Sequence, residues 1–195
     1  MTERRAVTIA GALLTGGSSA RMGGAKALLV LDGETLAVRA ARALRAVCDP
    51  VIEVGPGYTD LDTTLEDPPG RGPLAALVAA ADALGTDGSV LALACDLPFV
   101  DAAALRIVAG APGAACVVPV DGEGRPQLVC ARYSAVAIAR ARVQLDAGER
   151  SLRALLRDVE VMYVDRGFDP RALVDVDTPE EAARWGIEVP DGLEP

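Results

Sequence analysis

Gly11-Ala-Leu-Leu-Thr-Gly-Gly-Ser-Ser-Ala-Arg-Met-Gly-Gly-Ala-Lys26 is the stretch on which the fold turns. Gly16, Gly17, Gly23 and Gly24, with Arg21 and Lys26 among them, stand directly behind the apolar run Ala6-Val-Thr-Ile-Ala-Gly-Ala-Leu-Leu14. That run reads as a buried first strand. A glycine-rich turn leaving such a strand brings backbone N–H groups close to phosphate oxygens, with no Cβ in the way. Arg21 and Lys26 then add positive charge against a polyphosphate. The alternative is a loop whose glycines only turn the chain, and two cations on the same loop weigh against it. A Walker A loop is excluded, because Ala25 separates Gly24 from Lys26 and Ala27 follows. No register of the glycines supplies the dinucleotide pattern Gly-x-Gly-x-x-Gly.

Outward from that loop, strand-like and helix-like segments alternate. Helices are expected over Thr35–Val47, Pro73–Leu84, Asp101–Ala109, Ser134–Ala147, Leu152–Arg157 and Pro179–Trp185. Strands are expected over Val51–Val54, Ser89–Cys95, Ala115–Val120, Gln127–Ala131 and Val159–Val164, with Asp121-Gly-Glu-Gly124 as a hairpin-like turn. The nearly all-apolar Ser89–Cys95 suits a central parallel strand covered on both faces. The pattern predicts an α/β fold, Rossmann-like and three-layered, with a mostly parallel sheet between helices. Residues 1–195 form one domain, with Val189–Pro195 a frayed tail. Ligands of such sheets bind beyond the carboxyl ends of the strands. The glycine loop, Asp67 and Asp96 each follow a strand and can converge there.

Composition narrows the function. Hydrophobic residues are 51% and aromatics 3%, so the core is built from Ala, Val and Leu, without stacking platforms for single-stranded nucleic acid. A net charge of -9 without a basic run argues against nucleic acid or an anionic membrane as partner. No segment offers the ~20 apolar residues of a membrane span. Cys48, Cys95, Cys116 and Cys130 form no Cys-x-x-Cys pair and read as buried thiols of a cytoplasmic protein. Arg4-Arg5 and Ser18-Ser-Ala20 around the apolar run mimic an export signal, but cleavage there would destroy the glycine loop. The chain contains no histidine, which excludes a His-based hydrolytic triad and makes a zinc site improbable.

Asp96 leaves the end of a strand and reads either as a metal ligand or as a cap on the Leu97-Pro98 turn. Asp175 and Asp177, on an extended segment, point the same way. One of them is a second metal ligand or an acceptor contact, or else caps the helix that Thr178 can cap itself. Lys26 reads as a triphosphate ligand or a solvated lysine, and Asp67-Pro68-Pro69 as a site loop or a plain turn.

Leu14-Thr-Gly-Gly-Ser-Ser-Ala-Arg21-Met-Gly-Gly-Ala-Lys26 resembles the nucleotidyltransferase signature Leu-x-Gly-Gly-x-Ser-x-Arg-Met-Gly-x-x-Lys. Gly72-Pro-Leu-Ala-Ala-Leu-Val, Ala94-Cys-Asp-Leu-Pro-Phe-Val100, Ala147-Gly-Glu-Arg150 and Val174-Asp-Val-Asp-Thr-Pro-Glu-Glu-Ala-Ala-Arg-Trp185 extend the likeness, in order, along nearly the whole chain. Within that superfamily the chain is most similar to the molybdenum cofactor guanylyltransferases. The resemblance implies the nucleotide-diphospho-sugar transferase type of fold. It implies transfer of GMP from GTP to the phosphate of molybdopterin, molybdenum-loaded, with release of pyrophosphate. Mg²⁺, or Mn²⁺ in its place, would be the metal, with Asp96 and Asp177 as ligands. Lys26, Arg21 and Asp96 would be catalytic. Leu14, Thr15, Gly16, Gly17, Gly23, Lys26, Asp67, Gly72 and Asp96 would line the nucleotide, with Gly16-Gly17 favouring guanine. Arg125, Gln127 and Arg150 are candidates for the pterin end, and molybdenum-insertion or molybdoenzyme delivery proteins for transient contacts. Family members that use guanine often carry asparagines where this chain has Asp175 and Asp177. That departure leaves two alternatives, a cytidylyl transfer to the same cofactor or a nucleotidyl transfer to another small phosphorylated acceptor. Absence of histidine suits all three, since a phosphate monoester with a second pKa of about 6 needs no general base to attack.

Overall fold

The computed structural model describes residues 9–16, 26–68, 70–169 and 171–190. Four parallel strands form one side of the main sheet: β1 (Ala10–Leu14), β4 (Val51–Val54), β5 (Thr63–Thr64) and β6 (Val90–Ala94). The other side holds β7 (Cys116–Pro119), β8 (Cys130–Tyr133) and β9 (Val161–Val164). Among the described residues the order is β5-β4-β1-β6-β8-β7-β9, and only β8 runs against its neighbours. β2 (Val30–Leu31) and β3 (Glu34–Thr35) make a separate hairpin. The helices are α1 (Leu36–Arg45), α2 (Pro73–Leu84), α3 (Ala102–Gly110), α4 (Ala135–Asp146), α5 (Leu152–Leu155) and α6 (Pro179–Arg184).

The expected three-layer α/β architecture is the one observed. Side chains of β1 alternate across the sheet, as the strand period requires. Ala12 and Leu14 pack with Leu74 and Leu77 of α2 and Ile138 of α4. Leu13 packs on the opposite face, with Leu44 of α1 and Leu105 of α3. Small residues let these layers approach closely. A Cβ on Gly11 would stand 3.0 Å from the Cys48 Cβ and 3.2 Å from Val51. All four cysteines are free and buried, and burial pushes the Cys95 thiol up to about 12. A third cluster, with Leu29, Leu36, Val176 and Ile187, ties the end of the chain back to the hairpin. There Val30 and Glu188 form a bridge. That tie carries the Asp175–Asp177 segment back to the start of the chain.

Several boundaries differ from expectation. The first strand begins at Ala10, and residues 6–8 and the tail residues 191–195 lie outside the described ones. The strand expected over Gln127–Ala131 starts at Cys130, whose N–H donates to the Gln127 carbonyl and closes a turn first. Thr35 caps α1 instead of opening it, accepting from the Val38 N–H at 3.3 Å. α5 stops at Leu155. The β2–β3 hairpin was not anticipated, although Asp32-Gly33 is a hairpin dipeptide and both residues adopt positive φ, 53° and 77°.

Candidate active site

Leu14 stands level with Val54 of β4 and with Ala94 of β6. Because the three strands are parallel, Thr15, Gly55 and Asp96 leave the sheet on one edge. At the β4 side that edge is closed by hydrogen bonds. The N–H groups of Thr15 and Gly16 both donate to the Val54 carbonyl at 3.1 Å. They are therefore turned toward β4, and the Leu14 carbonyl accepts from Cys95. Gly16, Lys26, Asp96 and Asp177 are described; Gly17, Arg21 and Gly23 lie outside the described residues.

The β6 side gathers charge. Lys26, at the head of a short 3-10 turn, hydrogen-bonds Asp177 and stands 3.8 Å from Asp96 Oδ2. The Lys26 side chain is only 16% exposed. Burial pushes the Asp96 carboxyl above its ordinary range; Lys26 opposes this, while Asp177 and Asp175 add to it. Asp96 Oδ1 is buried and, among the described residues, has no hydrogen-bond partner. An orphaned buried carboxylate oxygen beside a second carboxylate suits a hard divalent cation. Among the described residues no three His, Cys, Asp or Glu side chains gather to hold a metal. Asp96 and Asp177 would thus share the ion with oxygens of a ligand, the usual pattern for Mg²⁺.

Asp177 is not the cap of α6. Thr178 accepts from the Glu181 N–H at 3.2 Å, and Glu181 returns the bond to the Thr178 N–H at 3.0 Å. Val176, wholly buried, separates Asp175 and Asp177, and its N–H donates to the Asp96 carbonyl at 3.0 Å. The candidate ligands Asp96 and Asp177 are thereby joined through the backbone.

The other expected residues are spread around this edge. Asp67 is exposed, a short way beyond β5. Gly72 is the N-cap of α2, at φ +91°, and a Cβ there would stand 3.3 Å from the Arg150 carbonyl. That close approach brings the Ala147–Arg150 loop against the start of α2. Arg125 pairs with Asp121 at 2.8 Å, and Gln127 donates to the same carboxylate at 3.3 Å. The Asp121–Arg125 turn borders a cleft of about 380 Å³, lined also by Leu173, Asp175, Arg184 and Trp185. Arg150 and Arg125 therefore lie in different neighbourhoods, the first at α2 and the second at the cleft.

Glu53 was missed. It is fully buried on β4, and Thr15, Gly57, Tyr58 and Thr59 all donate to it. The signal was one acid in an apolar strand followed by a glycine-rich turn of free N–H groups.

An α/β sheet that brings Lys26, Asp96 and Asp177 together at one edge matches the nucleotidyltransferase class, and the comparisons give that class. Residues 11–162 match the family described as the MobA-like NTP transferase domain. A probable molybdenum cofactor guanylyltransferase of Opitutus terrae is 37% identical over 82% of this chain and 85% of its own. A molybdenum cofactor guanylyltransferase of Desulfosudis oleivorans is 30% identical over 95% of this chain and 93% of its own. In three dimensions the chain is similar to molybdopterin-guanine dinucleotide biosynthesis protein A of Archaeoglobus fulgidus. The TM-score is 0.76 at 21% identity, covering 91% of this chain and 96% of that one. The chain belongs to the molybdenum cofactor guanylyltransferase family of nucleotidyltransferases.

Proposed function

We propose that the chain joins GMP to molybdopterin, molybdenum-loaded, at the edge formed by β1, β4 and β6. An oxygen of the pterin phosphate forms a bond to the α-phosphorus of GTP. The α–β bridging P–O bond breaks, and pyrophosphate leaves. The observation that carries this reading is the meeting of Lys26, Asp96 and Asp177 at that edge. The attacking phosphate is largely ionised near neutral pH, with its second pKa at about 6, so no residue need remove a proton. What the protein supplies is alignment and charge. Lys26 and Arg21 neutralise the triphosphate as charge moves to the leaving group. Gly16, Gly17 and Gly23 admit the nucleotide for want of side chains, the Gly16 N–H itself being held by Val54, and Asp67 and Gly72 border its guanosine side. Asp96 and Asp177 would hold Mg²⁺, or Mn²⁺, which when bound supplies charge neutralisation on the phosphate oxygens. The cleft beside Asp175, Arg125 and Trp185 receives the pterin, where carboxylate and ring faces suit a flat amino-bearing heterocycle. The protein works in the cytoplasm and hands its product to molybdenum-insertion or delivery proteins.

Titration calorimetry of GTP, CTP and ATP with Mg²⁺, on wild type and Lys26→Ala, tests this reading. GTP is expected to bind selectively and Lys26→Ala to weaken it. Preference for CTP would move the assignment to cytidylyl transfer, the reading that Asp175-Val-Asp177 favours. Absence of dinucleotide from GTP, Mg²⁺ and loaded molybdopterin would overturn the guanylyl reading, and absence with CTP as well would overturn both.

A further inference from the structure

We infer that Glu53 is a positioning residue for nucleotide binding, acting through Thr15 at the start of the glycine loop. The inference rests on the nucleotide site proposed above.

Glu53 is fully buried, yet among the described residues every donor that reaches it is uncharged. Its Oε1 accepts from Thr15 Oγ1 at 2.6 Å, from Tyr58 N at 2.8 Å and from Gly57 N at 3.2 Å. Its Oε2 accepts from Thr59 Oγ1 at 2.7 Å and Thr59 N at 3.0 Å. Burial works against the charge, but these bonds outweigh it and hold the carboxyl below its ordinary range. A buried charge without a cation survives only when so saturated.

Its bonds have a direction. Gly57, Tyr58 and Thr59 belong to the loop that Glu53's own strand enters, so those contacts are local. Among the described donors Thr15 alone comes from elsewhere in the sheet, just past the end of β1 and 38 residues away. The neighbouring backbone repeats the link, since Thr15 and Gly16 both donate to Val54. Gly55 makes room for it: a Cβ there would stand 2.0 Å from Thr15 Oγ1. Hydroxyl, carboxylate and missing side chain together fix where the chain leaves β1. The residues that follow are those assigned to the nucleotide. A fold-stabilising role alone would need the loop contacts and not the reach to Thr15.

The test is a double-mutant cycle on Glu53→Gln and Thr15→Val. GTP, CTP and ATP are titrated with Mg²⁺, and each variant is compared on the nucleotide that wild type binds best. Each single variant should weaken that nucleotide by about tenfold, the worth of a hydrogen bond to a charged group. The double variant should bind no worse than the weaker single one. In turnover assays KM for the nucleotide should rise by the same factor, with kcat within about twofold. Unchanged affinity with only a lowered melting temperature would overturn the inference, as would losses that multiply. If Glu53→Gln does not fold, Thr15→Val decides alone, and unchanged affinity overturns it. Wild-type preference for CTP would sink the guanylyl reading while leaving Glu53 judged on CTP. Wild type that binds no nucleotide would overturn both.

Discussion

A buried carboxylate and a half-buried one stand on the same edge of the sheet and are treated in opposite ways. Glu53, on β4, is surrounded by neutral donors and its charge is stabilised. Asp96, just beyond β6, has a lysine 3.8 Å away, two acidic neighbours and, among the described residues, an oxygen with no partner. One holds the framework still; the other carries a charge that the fold itself leaves short of partners. Burial alone does not separate a working carboxylate from a structural one. The distinction lies in whether the protein completes its hydrogen bonds.

Asp96→Asn should break the comparison most severely. Loss of the charge is expected to lower kcat for dinucleotide formation by about 10²–10³, the scale for removing a preorganised electrostatic group. The same substitution should raise stability by about 1 kcal/mol, because an unsatisfied buried charge is relieved. Activity assays and urea unfolding on one preparation check both. A variant that is inactive and also less stable would mean that Asp96 is structural.

The second difference is in pH. Glu53 has a lowered carboxyl pKa in the fold, so its contribution is present above the unfolded value of ~4.3 and fades as pH falls through the folded one. Asp96 has a raised carboxyl pKa, so its cost is absent below ~3.9 and sets in as pH rises through the folded value. Glu53→Gln should therefore cost about 2 kcal/mol near pH 7, in urea midpoint at constant m-value, and less toward pH 3. A loss that does not shrink on acidification would show that the charge of Glu53 is not what stabilises.

Local chemistry explains what was legible in the chain. The all-apolar β6 and the turn at Asp96 each carry their meaning in a few adjacent residues, and the layered sheet follows from the alternation of such strands with helices. Glu53 was not legible, because a single acid in a short strand reads like a solvent-facing position in an alternating pattern. The pairing of Lys26 with Asp177 joins residues 151 apart, and no periodicity reports such a contact. Thr178-Pro-Glu-Glu181 was legible too: its capping signature leaves Asp177 unneeded as the cap, and the capping box of Thr178 and Glu181 is the one observed.

That consequence gives the smallest and sharpest test. Because Thr178 and Glu181 complete the cap of α6, Asp177 contributes only its backbone N–H, which donates to Glu181 at 2.7 Å, and its side chain is released from duty there. Thr178→Ala should then cost about 1 kcal/mol of stability, the usual loss of an N-cap. Asp177→Ala should cost less than about 0.5 kcal/mol, because 44% of its side chain is exposed and an ion pair so placed contributes little. Binding should rank them the other way. Mn²⁺ titration, followed by the loss of its free-ion paramagnetic resonance signal in the presence of GTP, should be weakened several-fold by Asp177→Ala and left unchanged by Thr178→Ala. The reverse ranking would make Asp177 part of the helix start and leave Asp96 as the only carboxylate of the pair available to a metal.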